Sequence, residues 1–294
     1  MTTRPARPHR PPGGPGRAGG AGTTGTAALA SGDPRRALPA ANLTGMESLM
    51  PVAGPPVFLV PPGALTAGVM ALTGPEGHHA AAVRRLRPGE RADVSDGAGT
   101  LAEGVVTGVG KDSVTLDIHA VHTVPPPQPR LAVAQALPKG DRGELAVELM
   151  TEIGVDAVIP WAAARSITKW QAERGAKALA TWRTTAREAA KQSRRAWLPE
   201  VTDLASTAAL AKRVPAAYAI VLEADAPAKL HELPLPQAGE VLLLVGPEGG
   251  ISPAERAILR DAGAIEARLG PTVLRTSTAG ATAAAILLSR VGRW

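Results

Sequence analysis

Residues Leu242–Ser252 read LLLVGPEGGIS, and residues Leu269–Thr278 read LGPTVLRTST. In each, a short apolar run ends at Gly-Pro and the chain then turns toward a helix. The spacing predicts those helices over Ser252–Asp261 and about Thr278–Val291. Ser252 suits an N-cap, Pro253 the first helical position and Glu255 the third, which is the pattern of a capping box. Two strand ends that open into glycine-rich or hydroxyl-rich loops offer unpaired backbone N–H and C=O groups, the raw material of a ligand site.

Outward from these loops, the chain alternates strands and helices. Leu131–Ala136, Val155–Pro160, Tyr218–Glu223, Val241–Val245 and Ile265–Leu269 read as strands. Gly143–Ile153 reads as a helix with Leu145, Leu149 and Ile153 on one face and Gly154 as its stop. Trp170–Trp197 reads as a long helix carrying EAAKQSRRAW. Continuous apolar strands alternating with helices predict an α/β domain with a parallel sheet covered on both faces. With one Phe and one Tyr in the chain, Trp161, Trp170, Trp182 and Trp197 read as packing residues.

The pattern differs before PPPQP at Pro125–Pro129. From Pro56 to about Val124 there are short strands: Val57–Val60, Val69–Thr73, Arg91–Ser95, Leu101–Gly108 and Ser113–Val121. Asp96-Gly97 and Lys111-Asp112 suit hairpin turns, and His79–Leu86 has helical spacing. A small β-barrel or sheet is expected. Arg84, Arg85 and Arg87 cluster with His78 and His79. They suit RNA phosphate or a solvated basic face, and spacing does not separate the two. No metal is expected there, because adjacent histidines point apart and no third ligand is near. The domains therefore read as a tail over 1–50, a β-domain over 51–124, a stiff linker over 125–129 and an α/β domain over 130–294.

Composition bounds the rest. The 294 residues carry a net charge of +6, but residues 1–45 hold six arginines and a single acid, Asp33, which leaves only +1 for the remainder. Basicity belongs to the tail, so nucleic-acid binding has to be argued from local patches. The tail is rich in Pro, Gly, Ala and Arg and cannot bury enough surface to order itself. It reads as a passive extension, with Met46 or Met50 the expected start. There is no cysteine, which removes disulfides, thiolate metal sites and thiol nucleophiles and fits a cytoplasmic protein. No apolar run approaches the roughly 20 residues of a membrane span.

GPEGG lacks the Lys-Ser/Thr of a P-loop and the spacing of a dinucleotide fingerprint. Tight turns alone would account for each glycine separately. They do not account for GPEGHHAAAVRRLRPGE, LPKGDRGELAVELMTEIGVDAVIPWAAARSITKW, EAAKQSRRAWLPEV, LLLVGPEGGISPAE and LGPTVLRTSTAGATAA in that order. This set resembles the RsmE family, SPOUT-class methyltransferases that modify N3 of a uridine in small-subunit ribosomal RNA. The resemblance runs from about Pro56 to the C-terminus.

It implies an N-terminal PUA-like β-barrel, an α/β domain with a C-terminal trefoil knot, S-adenosylmethionine as cofactor and a homodimer. The cofactor loops it implies hold Leu222, Glu223, Val245, Gly246, Pro247, Glu248, Gly249, Gly250, Leu269, Gly270, Leu274, Arg275, Thr276 and Thr278. Ser277 stands where family members often carry Glu, so no carboxylate role is carried to that position. Methylating N3 requires alignment of the acceptor and stabilisation of the charge left as its proton departs. Arg275 and Arg195 are the expected stabilisers, with Arg194 the near alternative and Glu248 to orient an arginine or take the proton. His79, Arg84, Arg85, Lys139, Arg142, Glu188, Gln192, Arg194 and Arg195 are the expected RNA contacts, with Glu188, Gln192 and Arg195 lining one groove. For Lys139 and Arg142 the alternative is an exposed turn, and only the resemblance favours RNA; for Glu188 and Glu248 the alternative is a structural helix or turn contact. Two other functions fit the same residues: ribose 2′-O-methylation, and a non-catalytic ribosome-assembly factor.

Overall fold

The computed structural model describes residues 54–294. The reading of the tail, and of Met46 or Met50 as the start, falls outside these residues.

The first five strands are β1 (Val57–Leu59), β2 (Gly68–Leu72), β3 (Arg91–Ser95), β4 (Thr100–Val109) and β5 (Val114–Thr123). They form a sheet in the order β1-β3-β4-β5-β2, with β1 and β3 parallel and the other neighbours antiparallel. β5 alternates buried and exposed residues, as its sequence predicts. β3 does not: Ala92, Asp93, Val94 and Ser95 are all buried. The expected polar face of this strand is covered, and Asp93 there receives the guanidinium of Arg194. The expected helix over His79–Leu86 begins earlier, as α1 (Gly74–His78), and continues as a π-turn over His79–Val83. Pro75 in the first turn sets that earlier start. Gly77 holds α1 close: a Cβ built there would lie 2.6 Å from the carbonyl oxygen of Leu72.

The second sheet contains β6 (Arg130–Ala136), β7 (Ala157–Trp161), β8 (Glu200–Val201), β9 (Tyr218–Leu222), β10 (Glu240–Val245) and β11 (Ile265–Ala267). All its pairings are parallel, in the order β11-β9-β10-β6-β7-β8. The helices are α2 (Arg142–Ile153), α3 (Ala172–Gln192), α4 (Thr207–Arg213), α5 (Pro253–Asp261) and α6 (Thr276–Arg290). Successive residues of each central strand enter opposite cores. Val241, Leu243 and Val245 of β10 pack with α2 and α6, whereas Leu242 and Leu244 pack with α4 and α5. That is why these strands read as unbroken apolar runs.

Two expectations about helices are corrected. The fully buried face of α2 is Gly143, Ala146, Val147, Met150 and Thr151; Leu149 and Ile153 pack at its edge as expected, while Leu145 is exposed. Small residues decide this face, because α2 lies against α3 so closely that a Cβ on Gly143 would meet Trp182 at 2.6 Å. The long helix ends at Gln192 rather than Trp197, and Arg194 then takes a left-handed φ of 57°. The next residues join the first sheet: Leu198 N–H donates to Gly97 O at 3.0 Å and Trp197 Nε1 donates to Val124 O at 3.0 Å. No helix among the described residues is long and apolar enough to cross a membrane.

Candidate functional site

The strands β9, β10 and β11 are neighbours, and their carboxyl ends open on one side of the sheet. A cavity of about 330 Å³ lies there. Ligands of open α/β sheets bind at this edge because the loops that leave it carry free backbone groups. Leu222 and Glu223 line it from β9. Val245, Gly246, Pro247, Glu248 and Gly250 line it from the β10 loop. Leu269, Gly270, Leu274, Arg275 and Thr276 line it from the β11 loop and the start of α6. Gly249 and Thr278 do not line it. Gly249 O accepts from Arg165 Nη1 at 3.1 Å, and Thr278 Oγ1 donates to Arg275 O at 3.1 Å, so both support the wall from behind.

The GPEGG turn is held from several sides. Gly250 N–H donates to Pro247 O at 2.8 Å with Gly250 at φ 72°. Glu248 Oε1 accepts from the backbone N–H of Lys139 at 3.2 Å, which ties the turn to the loop after β6. The capping box of α5 is present, and its Glu255 also accepts from Ala164 N–H and Thr207 Oγ1, each at 2.8 Å. One buried carboxylate thus joins α5, the segment after β7 and α4. A Cβ on Gly246 would fall 2.7 Å from Ile251, so no larger residue fits that turn. Gly270 is the contrast: a Cβ there would meet nothing within 4 Å.

The cavity's polar residues are few. Arg275 is exposed at its rim, and Glu248 is exposed on the β10 loop. Glu223 is largely buried, and burial pushes its carboxyl above the usual carboxylate range against the pull of Arg256. Sequence reasoning missed Ala224, Ile251, Thr272, Val273 and Ala279, which also line the cavity. Thr272 and Val273 lie inside LGPTVLRTST, so the stretch pointed to them and only the loop's path was lacking. Arg165, in the loop after β7, and Arg256, inside α5, were missed because neither lies in the two Gly-Pro loops.

The remaining expected residues separate. His79, Arg84, Glu188, Gln192 and Arg194 line a second, polar cavity of about 240 Å³ between the first sheet and the end of α3. Lys139 is exposed and Arg142 half-buried near the carboxyl end of β6, on the side of the first cavity. Arg85 is exposed with φ 54° and lines neither cavity.

Arg195 is a correction. Its Nη1 donates to Val155 O at 2.6 Å and Thr151 O at 3.1 Å, and its Nη2 meets Asp156 at 3.4 Å. Burial pushes its guanidinium down to about 10. These partners precede β7, at the amino end of the sheet. The cofactor-loop cavity is at the carboxyl end, roughly 17–20 Å away for strands of this length. Within one chain Arg195 is a clamp, and it does not share a groove with Glu188 and Gln192. Arg194 also differs from expectation, since its guanidinium reaches Asp93 and Pro55 O. Among the described residues no group of three His, Asp or Glu side chains could hold a metal ion.

A parallel sheet with a loop-built cavity at its carboxyl edge, joined to a small β-domain, defines an α/β ligand-binding enzyme scaffold. Residues 125–288 match the RNA methyltransferase domain family, and residues 72–118 match the RNA methyltransferase PUA domain. The chain is 46% identical over 234 residues to the ribosomal RNA small subunit methyltransferase E of Mycobacterium bovis, covering 78% of this chain and 89% of that one. The protein of the same name from Bacillus subtilis is 32% identical, with 72% and 87% covered. A crystal structure of ribosomal RNA small subunit methyltransferase E from Neisseria gonorrhoeae bound to S-adenosyl methionine superposes with a TM-score of 0.73. It is 27% identical and covers 80% of this chain and 98% of its own. The chain belongs to the RNA methyltransferase family.

Proposed function

We propose that this protein methylates N3 of a uridine in small-subunit ribosomal RNA, with S-adenosylmethionine as methyl donor. Ribosomal RNA methylation follows from family membership and from relatives named for it at up to 46% identity. The observation that carries the cofactor assignment is the cavity itself. Its loops are the glycine-rich and hydroxyl-rich segments, its walls are mainly apolar, and the exposed carboxylate of Glu248 faces a ligand that carries a sulfonium and an ammonium. The open space at Gly270 gives backbone access that a side chain would fill.

When bound, S-adenosylmethionine supplies a methyl group already activated by its sulfonium. The chain's own residues have to align the acceptor and hold charge. Arg275, at the rim, is read as the donor to the O2 or O4 edge of the uracil ring as the N3 proton leaves. Glu248 is anchored by Lys139 N–H, which orients the carboxylate that faces the departing proton. The loops after β10 and β11 are read as the threaded part of a trefoil knot in a SPOUT-type domain over 130–294, with a PUA-like barrel over 51–124 and a linker over 125–129.

The working unit is read as a homodimer in the cytoplasm. One chain keeps its polar cleft (His79, Arg84, Gln192) at the amino end of the parallel sheet and its cofactor cavity at the carboxyl end. A second copy supplies the way to bring one chain's cleft beside the other's cavity. Lys139, Arg142 and Arg165 then form the basic rim for the RNA backbone.

The test is methyl transfer from labelled S-adenosylmethionine to small ribosomal subunits from cells lacking the protein, followed by mass spectrometry of the nucleosides. Labelled 3-methyluridine at one site is the expected result. Labelled 2′-O-methylribose would overturn the acceptor assignment and keep the fold.

A further inference from the structure

Glu223 sits where the cavity wall meets a charged cluster that the reaction described above does not use. Its backbone is fixed on both sides: its N–H donates to Ala267 O at 3.1 Å and its C=O accepts from Ala226 N–H at 3.3 Å. Its side chain is 15% exposed. The residues beside it in the wall, Leu222, Ala224 and Leu269, have no polar side chain. Its charged neighbour is Arg256, whose Nη1 lies 3.5 Å away, within ion-pair range and beyond a good hydrogen bond. Arg256 is itself committed, because its Nε and Nη2 fork Glu266 at 2.9 and 2.7 Å. Asp225, mostly exposed, meets the same guanidinium at 3.4 Å, and Arg165 is the further cation that acts on Glu223.

A buried carboxylate has acceptor capacity for about four hydrogen bonds and is costly to leave without donors. Here the charge is offset by Arg256, yet the oxygens lack close donors. That combination favours neutral hydroxyl donors over a second cation. Two adjacent hydroxyls match the two oxygens of one carboxylate. Glu248, exposed on the β10 loop and with no guanidinium partner among the described residues, is the carboxylate left for the ligand's cationic part.

We propose that Glu223 accepts the vicinal diol of the cofactor ribose, and that Arg256, braced by Glu266, is the positioning residue that aims it. This rests on reading the cavity as the S-adenosylmethionine site. The ribose is thereby fixed at the β9 edge of the cavity, and nucleosides that lack the diol are rejected.

Isothermal titration of the full chain tests this with three probes: S-adenosylmethionine, 5′-methylthioadenosine, which has the ribose but neither cationic group, and 2′,3′-dideoxy-5′-methylthioadenosine. Glu223→Gln keeps the shape and one acceptor while removing the charge, and its circular dichroism is expected to match the wild type. S-adenosylmethionine and methylthioadenosine are expected to lose affinity equally, by about ten- to a hundredfold. The dideoxy probe is expected to bind the wild type weakly and to be indifferent to the substitution. Arg256→Lys is expected to shrink the preference for the diol without removing binding, and to add little on top of Glu223→Gln.

A loss for S-adenosylmethionine with none for methylthioadenosine would overturn the proposal, because Glu223 would then be reading positive charge. So would unchanged affinity for all probes. If the wild type bound none of the three, the cofactor reading itself would fall first.

Discussion

Arg275 and Arg195 were indistinguishable as arginines in promising motifs, and burial separates them. Arg275 is exposed at the cavity rim, so Arg275→Ala is expected to lower methyl transfer by about 10²- to 10³-fold, as loss of a transition-state donor does. Its thermal unfolding should match the wild type. Arg195→Ala should do the reverse. It strips partners from the carbonyls of Thr151 and Val155 and leaves Asp156 to Arg293. A loss of about 2–4 kcal/mol in urea unfolding is expected, with activity per folded molecule preserved. Collapse of activity in a folded Arg195→Ala protein would return that residue to the site. Ser277 is buried in the first turn of α6, where a carboxylate would have to be accommodated inside the protein.

At the scale of elements, α5 was the most legible part of the chain. Ser252, Pro253 and Glu255 wrote its start, and the helix spans Pro253–Asp261. The sequence did not reveal that Glu255 also reaches Ala164 and Thr207, since those partners are 91 and 48 residues away. Glu255→Ala orphans these donors and the cap together, and a cost of about 2–3 kcal/mol is expected. The same carboxyl titrates usefully. Burial alone would raise it, but hydrogen bonds from Ser252, Ala164 and Thr207 outweigh burial and hold it below its ordinary 4.5. A depressed carboxyl contributes stability that is complete above the unfolded value and is lost as pH falls through the folded one. Acid titration below about pH 4.5 should therefore destabilise the wild type more steeply than Glu255→Gln. Equal slopes would mean that this carboxylate is not linked to folding. α2 shows the opposite case: Leu145 looked like core and is exposed, because glycine and alanine give α3 and α6 the closest approach.

At the scale of the molecule, EAAKQSRRAW turned out to be a joint. Glu76 of α1 accepts from Arg187 at 3.0 Å, from Lys191 at 3.2 Å and from Leu59 N–H at 3.3 Å. Arg194 reaches Asp93, and Trp197 closes over Gly99 and Val124 O. Glu76→Ala leaves a nearly buried Lys191 with Glu188 alone, at 3.4 Å. It is expected to cost about 2–3 kcal/mol and to speed proteolysis within residues 124–130. Unchanged cleavage would show that the joint holds without that carboxylate. The sequence by itself determined the parallel α/β class, both strand-end loops, the α5 cap and the β-domain before PPPQP. These are local: an apolar run, a Gly-Pro turn or a capping residue acts within a few positions of itself. Tertiary structure alone decided which arginine lines the cavity and which clamps a sheet, and which face of α2 is core. It also decided that Glu223 answers to Arg256. Such choices depend on contacts between residues far apart in the chain, and an Arg or Glu reads the same in sequence whether its partner is a ligand, a carbonyl or water.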